Sequence, residues 1–393
     1  MQRWGWTWAG FGAALLWLSA AAPSFAQVVP DPCSRVPNPC IGPIGPAVGG
    51  LISFGSPGSP LLALQYERLN EKQREEQLRT AGQPARAYAP PSATATAAQD
   101  AFGDPAYKAP PMAAEAPLGA ALAWVRIVGR VGSSSATEDE PSTKLNGGGA
   151  FAGLDLPYDP DTRYGVALGY SRSFVETDSD EGKLDADGYH ISAYATHAEG
   201  PWRMRLIGSY AYYTLDSHRD VVVGRDTYVA VADYNANNAE ALAEISYVTA
   251  FGAFGVEPYA AVGLSWLDTD AFQETGAPRE KLVSGPSFSD TWPYTVLGAR
   301  FSTQFAMGTA LVVPSLDLGW RHVFGDVDPQ LVYSAASIDF AVSGVPIAED
   351  SLMLGLGLDS SFANGWRGSL KYLGELAEEA QVHTFSAGLA VPF

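Results

Sequence analysis

The chain has 393 residues, with 24 Lys and Arg against 43 Asp and Glu, and a formal net charge of −19. This acidity repels nucleic acid, and a 47% apolar content with a mean hydropathy close to zero is too polar for a bundle of membrane helices. The same balance suits a transmembrane β-barrel, in which only every second residue meets lipid, and the 41 Gly, 18 Tyr, 17 Phe and 10 Trp fit that class.

At the N-terminus, Arg3 precedes an apolar run from Phe11 to Ala22 and then the small-residue site Ser24-Phe25-Ala26, the pattern of a secretory signal peptide cleaved before Gln27. The run is too short to span a bilayer and leads into Pro-rich sequence, so residues 1–26 predict export rather than a membrane helix. Residues 27–117 form a short Pro/Ala-rich extension in three parts. The first holds both cysteines, Cys33 and Cys40, which in an oxidising compartment predict a small disulfide loop, free thiols being the alternative. A metal site there would need further ligands, and the segment has no His.

The second part predicts a helix over 61–80. Ser59 stands as N-cap, Pro60 opens the first turn, Leu62, Tyr66 and Leu69 recur at helical spacing, and Gly82 follows the end. At about 1.5 Å per residue the helix reaches on the order of 30 Å, which suits either a wet barrel lumen or a solvated, partner-binding position outside it. The third part, residues 81–117, is rich in Ala, Pro, Thr and Gln and predicts a disordered or extended tether. Pro105, Pro110, Pro111 and Pro117 exclude a continuous helix directly ahead of residue 118.

From Ala120 onward the sequence breaks into twelve segments long enough to cross a membrane as strands. They lie near 120–133, 146–157, 163–176, 187–199, 201–216, 234–250, 254–268, 290–306, 309–324, 351–363, 366–376 and 381–393. Links after even-numbered segments are short: Asp159-Pro160-Asp161, Glu199-Gly200, Phe251-Gly252-Ala253, Met307-Gly308 and Asn364-Gly365. Links after odd-numbered ones are longer, as in Ser217 to Asp233, Thr269 to Ser289 and Gly325 to Asp350. Short turns at one end and long loops at the other predict an up-and-down outer-membrane barrel.

Individual segments alternate accordingly. In the third, Tyr164, Val166, Leu168 and Tyr170 oppose Gly165, Ala167, Gly169 and Ser171; in the seventh, Val262, Leu264 and Trp266 oppose Gly263 and Ser265; in the tenth, four leucines from Leu352 to Leu358 oppose Gly355, Gly357 and Asp359. Trp202 and Trp366 follow short turns while Trp266 and Trp320 approach long loops, as interfacial girdles require. The terminal segment is the most regular: Phe393, Val391, Leu389, Ala387 and Phe385 share one face, and Pro392, Ala390, Gly388, Ser386 and Thr384 the other.

The runs GVALGYSRSF (165–174), DADGYHISAYATH (185–197), LDLGWRHVFGD (316–326) and LGLGLDSSF (354–362), with the terminal strand, give residues 118–393 a resemblance to the C-terminal β-barrel translocator domain of autotransporters, the type V secretion family. The resemblance implies a twelve-stranded antiparallel barrel in the outer membrane of a Gram-negative bacterium. It also implies that Phe393, Val391 and Leu389 belong to the signal read by the barrel-assembly machinery. In that family the barrel anchors, and helps export, an N-terminal passenger joined through a helix in the pore. Here the passenger position is held by residues 27–117, which show no β-helix repeat.

The barrel region holds 16 basic and 35 acidic residues. Many carboxylates fall in the long loops, at Glu138, Asp139, Glu140, Asp178, Asp180, Glu181, Asp326, Asp328, Glu378 and Glu379. That rim is read as solvated loop charge, with divalent cations bridging to lipopolysaccharide as the alternative. Alternation points Arg203, Arg205, Glu257, Arg300, Asp317, Arg321, Asp359, Arg367 and Lys371 into the lumen, where mixed charges pair across the interior.

His190, His197, His218, His322 and His383 are scattered, and no HExxH, G-x-S-x-G or Cys-based pattern occurs, so the sequence selects no catalytic residue, cofactor or metal set. The pair Asn237-Asn238 resembles the self-cleavage dipeptide of some autotransporters but falls within a strand rather than in a pore helix. The expectation is a monomeric, non-enzymatic barrel in contact with outer-membrane lipid and lipopolysaccharide, anchoring and displaying its short extension. The alternatives are a plugged or passive pore and an outer-membrane hydrolase assembled from separate strands.

Overall fold

The computed structural model describes residues 121–135, 142–159, 161–177, 182–251, 254–325, 330–336, 338–343 and 348–393. The expected signal peptide, the Cys33/Cys40 pair, the helix over 61–80 and the tether lie outside them. So do the loop carboxylates Glu138, Asp139, Glu140, Asp178, Asp180, Glu181, Asp326 and Asp328.

The chain order is β1 (Leu122–Ser134), β2 (Thr143–Pro157), β3 (Thr162–Thr177), β4 (Gly182–Glu199), β5 (Trp202–Val223), β6 (Asp226–Tyr247), β7 (Thr249–Phe251), β8 (Phe254–Thr269), β9 (Phe272–Gln273), β10 (Val283–Gly285), β11 (Phe288–Ser302), β12 (Phe305–Met307), β13 (Ala310–Val323), β14 (Gln330–Ala335), β15 (Ile338–Ser343), β16 (Asp350–Ser361), β17 (Arg367–Leu376) and β18 (Ala380–Pro392). A fourteen-stranded sheet combines twelve long strands with the three-residue β7 and β12. Every long strand pairs antiparallel with the next one in the chain, and β18 pairs with β1 from Leu122↔Pro392 to Ser134↔Ala380, which closes the barrel. All twelve expected crossing segments coincide with one long strand each.

Closure sorts side chains by parity, because successive residues of a strand point to opposite faces of the sheet. Outward-facing Val125, Ile127, Val166, Leu168, Ile191, Leu206, Val262, Leu264, Leu297 and Leu370 are each at least half exposed, an apolar band left uncovered among the described residues. Aromatic rings flank that band: Trp202, Tyr247, Phe254, Phe305 and Trp366 toward the short turns, and Tyr170, Tyr189, Tyr210, Tyr212 and Trp320 toward the long loops. This is the profile of a wall solvated by lipid. At the turn end, Gly200, Gly308 and Gly365 adopt positive φ (56°, 62° and 81°), which lets short links reverse the chain.

The lumen face needs small residues where rings lie against the wall. A Cβ added at Gly165 would meet the Tyr194 ring at 1.9 Å, and one at Gly169 the Phe151 ring at 2.0 Å, so the glycines of the third segment are seats for aromatic side chains.

The loop end differs from expectation. Ser217 to Asp233 is no loop: β5 and β6 continue as a hairpin in register to Val223↔Asp226, with Gly224 (φ 66°) at its tip. The links 269–289 and 325–350 contribute β9, β10, β14 and β15, which form a separate four-stranded sheet in the order β15-β14-β10-β9. Mutual backbone hydrogen bonds between Val231 and Thr275 tie the β9–β10 segment to β6.

Candidate functional site: the lumen and its cap

All nine residues expected in the lumen fall on lumen-facing positions, and several meet in one network. Arg205 is ion-paired to Glu244 and, at 2.7 Å, to Glu257; Arg300 reaches Glu244 at 2.6 Å, Glu257 at 3.1 Å and Asp317 at 3.0 Å. Ser246 donates to Glu257, Tyr259 donates to Asp317, and the Arg300 guanidinium lies 3.8 Å from the Tyr259 ring centroid. The side chains of Arg205 and Glu244 are 0% exposed. Burying such charges is costly unless each is paired and hydrogen-bonded, and here two arginines are shared among three carboxylates on the wall of β5, β6, β8, β11 and β13.

Further round the barrel, Lys371 pairs with Asp359 at 2.6 Å, Arg126 donates to Ser369 Oγ across the β18–β1 seam, and Arg321 of β13 pairs with Glu375 of β17, which also accepts from Ser351. Sequence reading missed Glu244, Glu375 and Arg126. Parity alone would have placed Glu244 inside, since it alternates with outward Ile245 and Ala243.

Toward the loop end the same lumen turns apolar. Leu145, Val175, Leu184, Leu215, Leu267, Trp292, Val323, Met353 and Val382, from nine different barrel strands, belong to one buried cluster with Phe272, Val283 and Tyr333 of the small sheet. Phe272 stacks on Tyr234 (5.3 Å between centroids) and meets Tyr333 edge-on (5.5 Å). The small sheet is therefore a cap sharing its core with the rim of the barrel. A buried ion pair fastens it: Arg219 of the β5 extension holds Glu274 through Nε and Nη2 and also donates to the Lys281 carbonyl, while Glu274 accepts the Val283 N–H.

Asn237 and Asn238 lie in the barrel wall. Asn237 faces outward and accepts from Tyr210; Asn238 is buried and donates to the Trp266 carbonyl. His190 Nε2 lies 2.8 Å from Ser171 Oγ, and among the described residues its Nδ1 has no hydrogen-bond partner that would serve as the acid of a catalytic triad. His197 contacts Thr162, and His383 contacts Tyr372.

A closed twelve-stranded barrel with a charged lumen, lipid-type outer wall and short turns at one end is matched by the family model for the autotransporter beta-domain over residues 123–372. The chain belongs to the autotransporter β-domain family. Its β-domain resembles the translocator domain of the autotransporter NalP from Neisseria meningitidis, at 18% identity and a TM-score of 0.56, covering 70% of this chain and 88% of that one. It also resembles the β-domain of the Bordetella autotransporter BrkA, at 20% identity and a TM-score of 0.52, covering 70% of this chain and all of that one. An extracellular serine protease of Serratia marcescens is 26% identical over 273 residues, 69% of this chain but only 26% of the relative's length. The chain thus spans about a quarter of that relative.

Proposed function

We propose that this autotransporter β-domain anchors its N-terminal extension, residues 27–117, in the outer membrane of a Gram-negative bacterium and displays it at the cell surface. The observation that carries the reading is the position of the strand entry. Ala121 and Phe393 are hydrogen-bonded to each other at the short-turn end. The first strand therefore begins at the end that faces the periplasm in barrels of this class, so display requires the extension to cross to the far side before the cap packs over the lumen. An epitope tag inserted near Gln83 tests it in intact cells, with outer-loop and periplasmic tags as controls. Cleavage by external protease is expected; protection until the outer membrane is opened would refute display.

The same reading makes residues 1–26 a signal peptide. It makes Phe393, Val391 and Leu389 contacts for the barrel-assembly machinery, in keeping with Phe393 at 69% exposed and Leu389 at 39%. A passive pore is the second reading. The apolar cluster joining the cap to nine barrel strands argues against an open channel, and single-channel conductance of the full chain discriminates the two.

A further inference from the structure

The loop that carries β14 and β15 has two stems, the end of β13 and the start of β16, and these stems bring together an imidazole and two carboxylates. His322 of β13 is the cross-strand neighbour of Asp350 of β16, with Nδ1 3.0 Å from Asp350 Oδ1. Glu349 precedes Asp350, and its carbonyl accepts the Val323 N–H, which fixes the backbone of the second stem against the first. Ligand atoms of His322, Glu349 and Asp350 all lie within 4.8 Å of one another.

The arrangement is held in place from outside the cluster. The His322 ring stands between Trp320 (5.7 Å between centroids) and Phe324 (4.6 Å, edge-on), so its orientation is constrained. Trp320 Nε1 donates to Asp350 Oδ1 at 2.8 Å. Neighbours that orient ligating side chains in this way are what a metal site needs beyond its ligands.

We propose that His322, Glu349 and Asp350 form a divalent transition-metal site that clamps the base of the cap loop. Two donors of one ion, each at about 2.1 Å, are at most about 4.2 Å apart. The exposed Glu349 and Asp350 carboxylates therefore need only small rotations to converge. One imidazole with two carboxylates favours Zn²⁺ or a neighbouring transition ion over Ca²⁺ and Mg²⁺, which prefer all-oxygen shells. Three protein ligands leave coordination positions open to water on the outward face. Bound metal would join the two ends of the 324–349 segment and restrain the cap hairpin whatever becomes of the N-terminal extension.

The test is Zn²⁺ titration of the full chain refolded in detergent, followed by calorimetry, with heat-modifiable migration confirming an intact barrel. A single saturable site is expected, weakened by about tenfold or more in His322→Ala and in Asp350→Asn. The double variant Glu378→Gln/Glu379→Gln, exposed carboxylates on another loop, is expected to leave it unchanged. Equal loss in that control, or no saturable binding, would overturn the site. With the ligands intact, Co²⁺ is expected to quench the emission of Trp320, read as the difference from Trp320→Phe, and excess Zn²⁺ to reverse it; no such quenching would also overturn the site. Zn²⁺ is further expected to slow proteolysis within residues 324–349.

Discussion

The two halves of the lumen solve the same burial problem with opposite chemistry. Toward the turn end, buried charges are neutralised by one another, with Arg205 and Arg300 shared among Glu244, Glu257 and Asp317. Toward the loop end, Leu145, Leu184, Leu215 and Leu267 pack with the cap as an apolar core, into which the ion pairs Arg219–Glu274 and Arg321–Glu375 are set. An ionic wall tolerates water and polar chain beside it, whereas an apolar plug excludes both. The difference teaches that the barrel is asymmetric along its axis, polar at the short-turn end where β1 begins and packed with apolar side chains where the cap folds over it.

Substitutions can break this contrast. The largest effect is expected from Arg300→Met, which leaves Arg205 as the one cation beside the buried Glu244 and Glu257 and takes the cation away from Asp317; loss of about 3–5 kcal/mol should appear in denaturant unfolding monitored by heat-modifiable migration. Leu184→Ala, in the apolar half, is expected to cost about 2–5 kcal/mol through the cavity it leaves, and the same assay reads it. Glu274→Gln removes a charged hydrogen-bond partner worth about 1.5–3 kcal/mol. That loss should be local, raising conductance and protease cleavage within residues 270–287 while the barrel transition stays in place. Arg172→Ala is expected to change stability by less than about 1 kcal/mol, because its ion pair with Asp185 sits on the outer face with the arginine half exposed. Should Glu274→Gln unfold the barrel together with the cap, the two halves would be a single cooperative unit and the contrast would fail.

The barrel was legible because lipid enforces alternation. A residue pointing outward from Val166 or Leu264 must be apolar, so the period of two survives in the sequence wherever the wall crosses the membrane. The same parity placed Arg205, Glu257 and Arg300 inside, yet their partners depend on how the strands are staggered, which no local pattern encodes. The hairpin over 217–233 was hidden for the complementary reason. Beyond the girdle the outward positions mix Asp216, His218, Asp220 and Asp233 with Val222 and Val229, because water on that face no longer demands apolar side chains, and the alternation blurs. The cap strands β9, β10, β14 and β15 have between two and six residues, and their core comes from distant loops, so neither length nor periodicity announced them. His322, Glu349 and Asp350 carried no motif because one ligand and the other two are separated by the whole cap hairpin.

The seam between β1 and β18 has a kinetic meaning. Gln381 donates to Ser133 across 248 residues of sequence, while the other long-strand pairings join strands consecutive in the barrel order of the chain. Bringing such distant segments together carries the greatest loop-closure entropy of any step in forming the wall. Until β18 docks, β1 and β17 each present an unpaired edge able to template association with another chain. A chain lacking residues 380–393 would therefore leave two adhesive edges where the complete barrel has none.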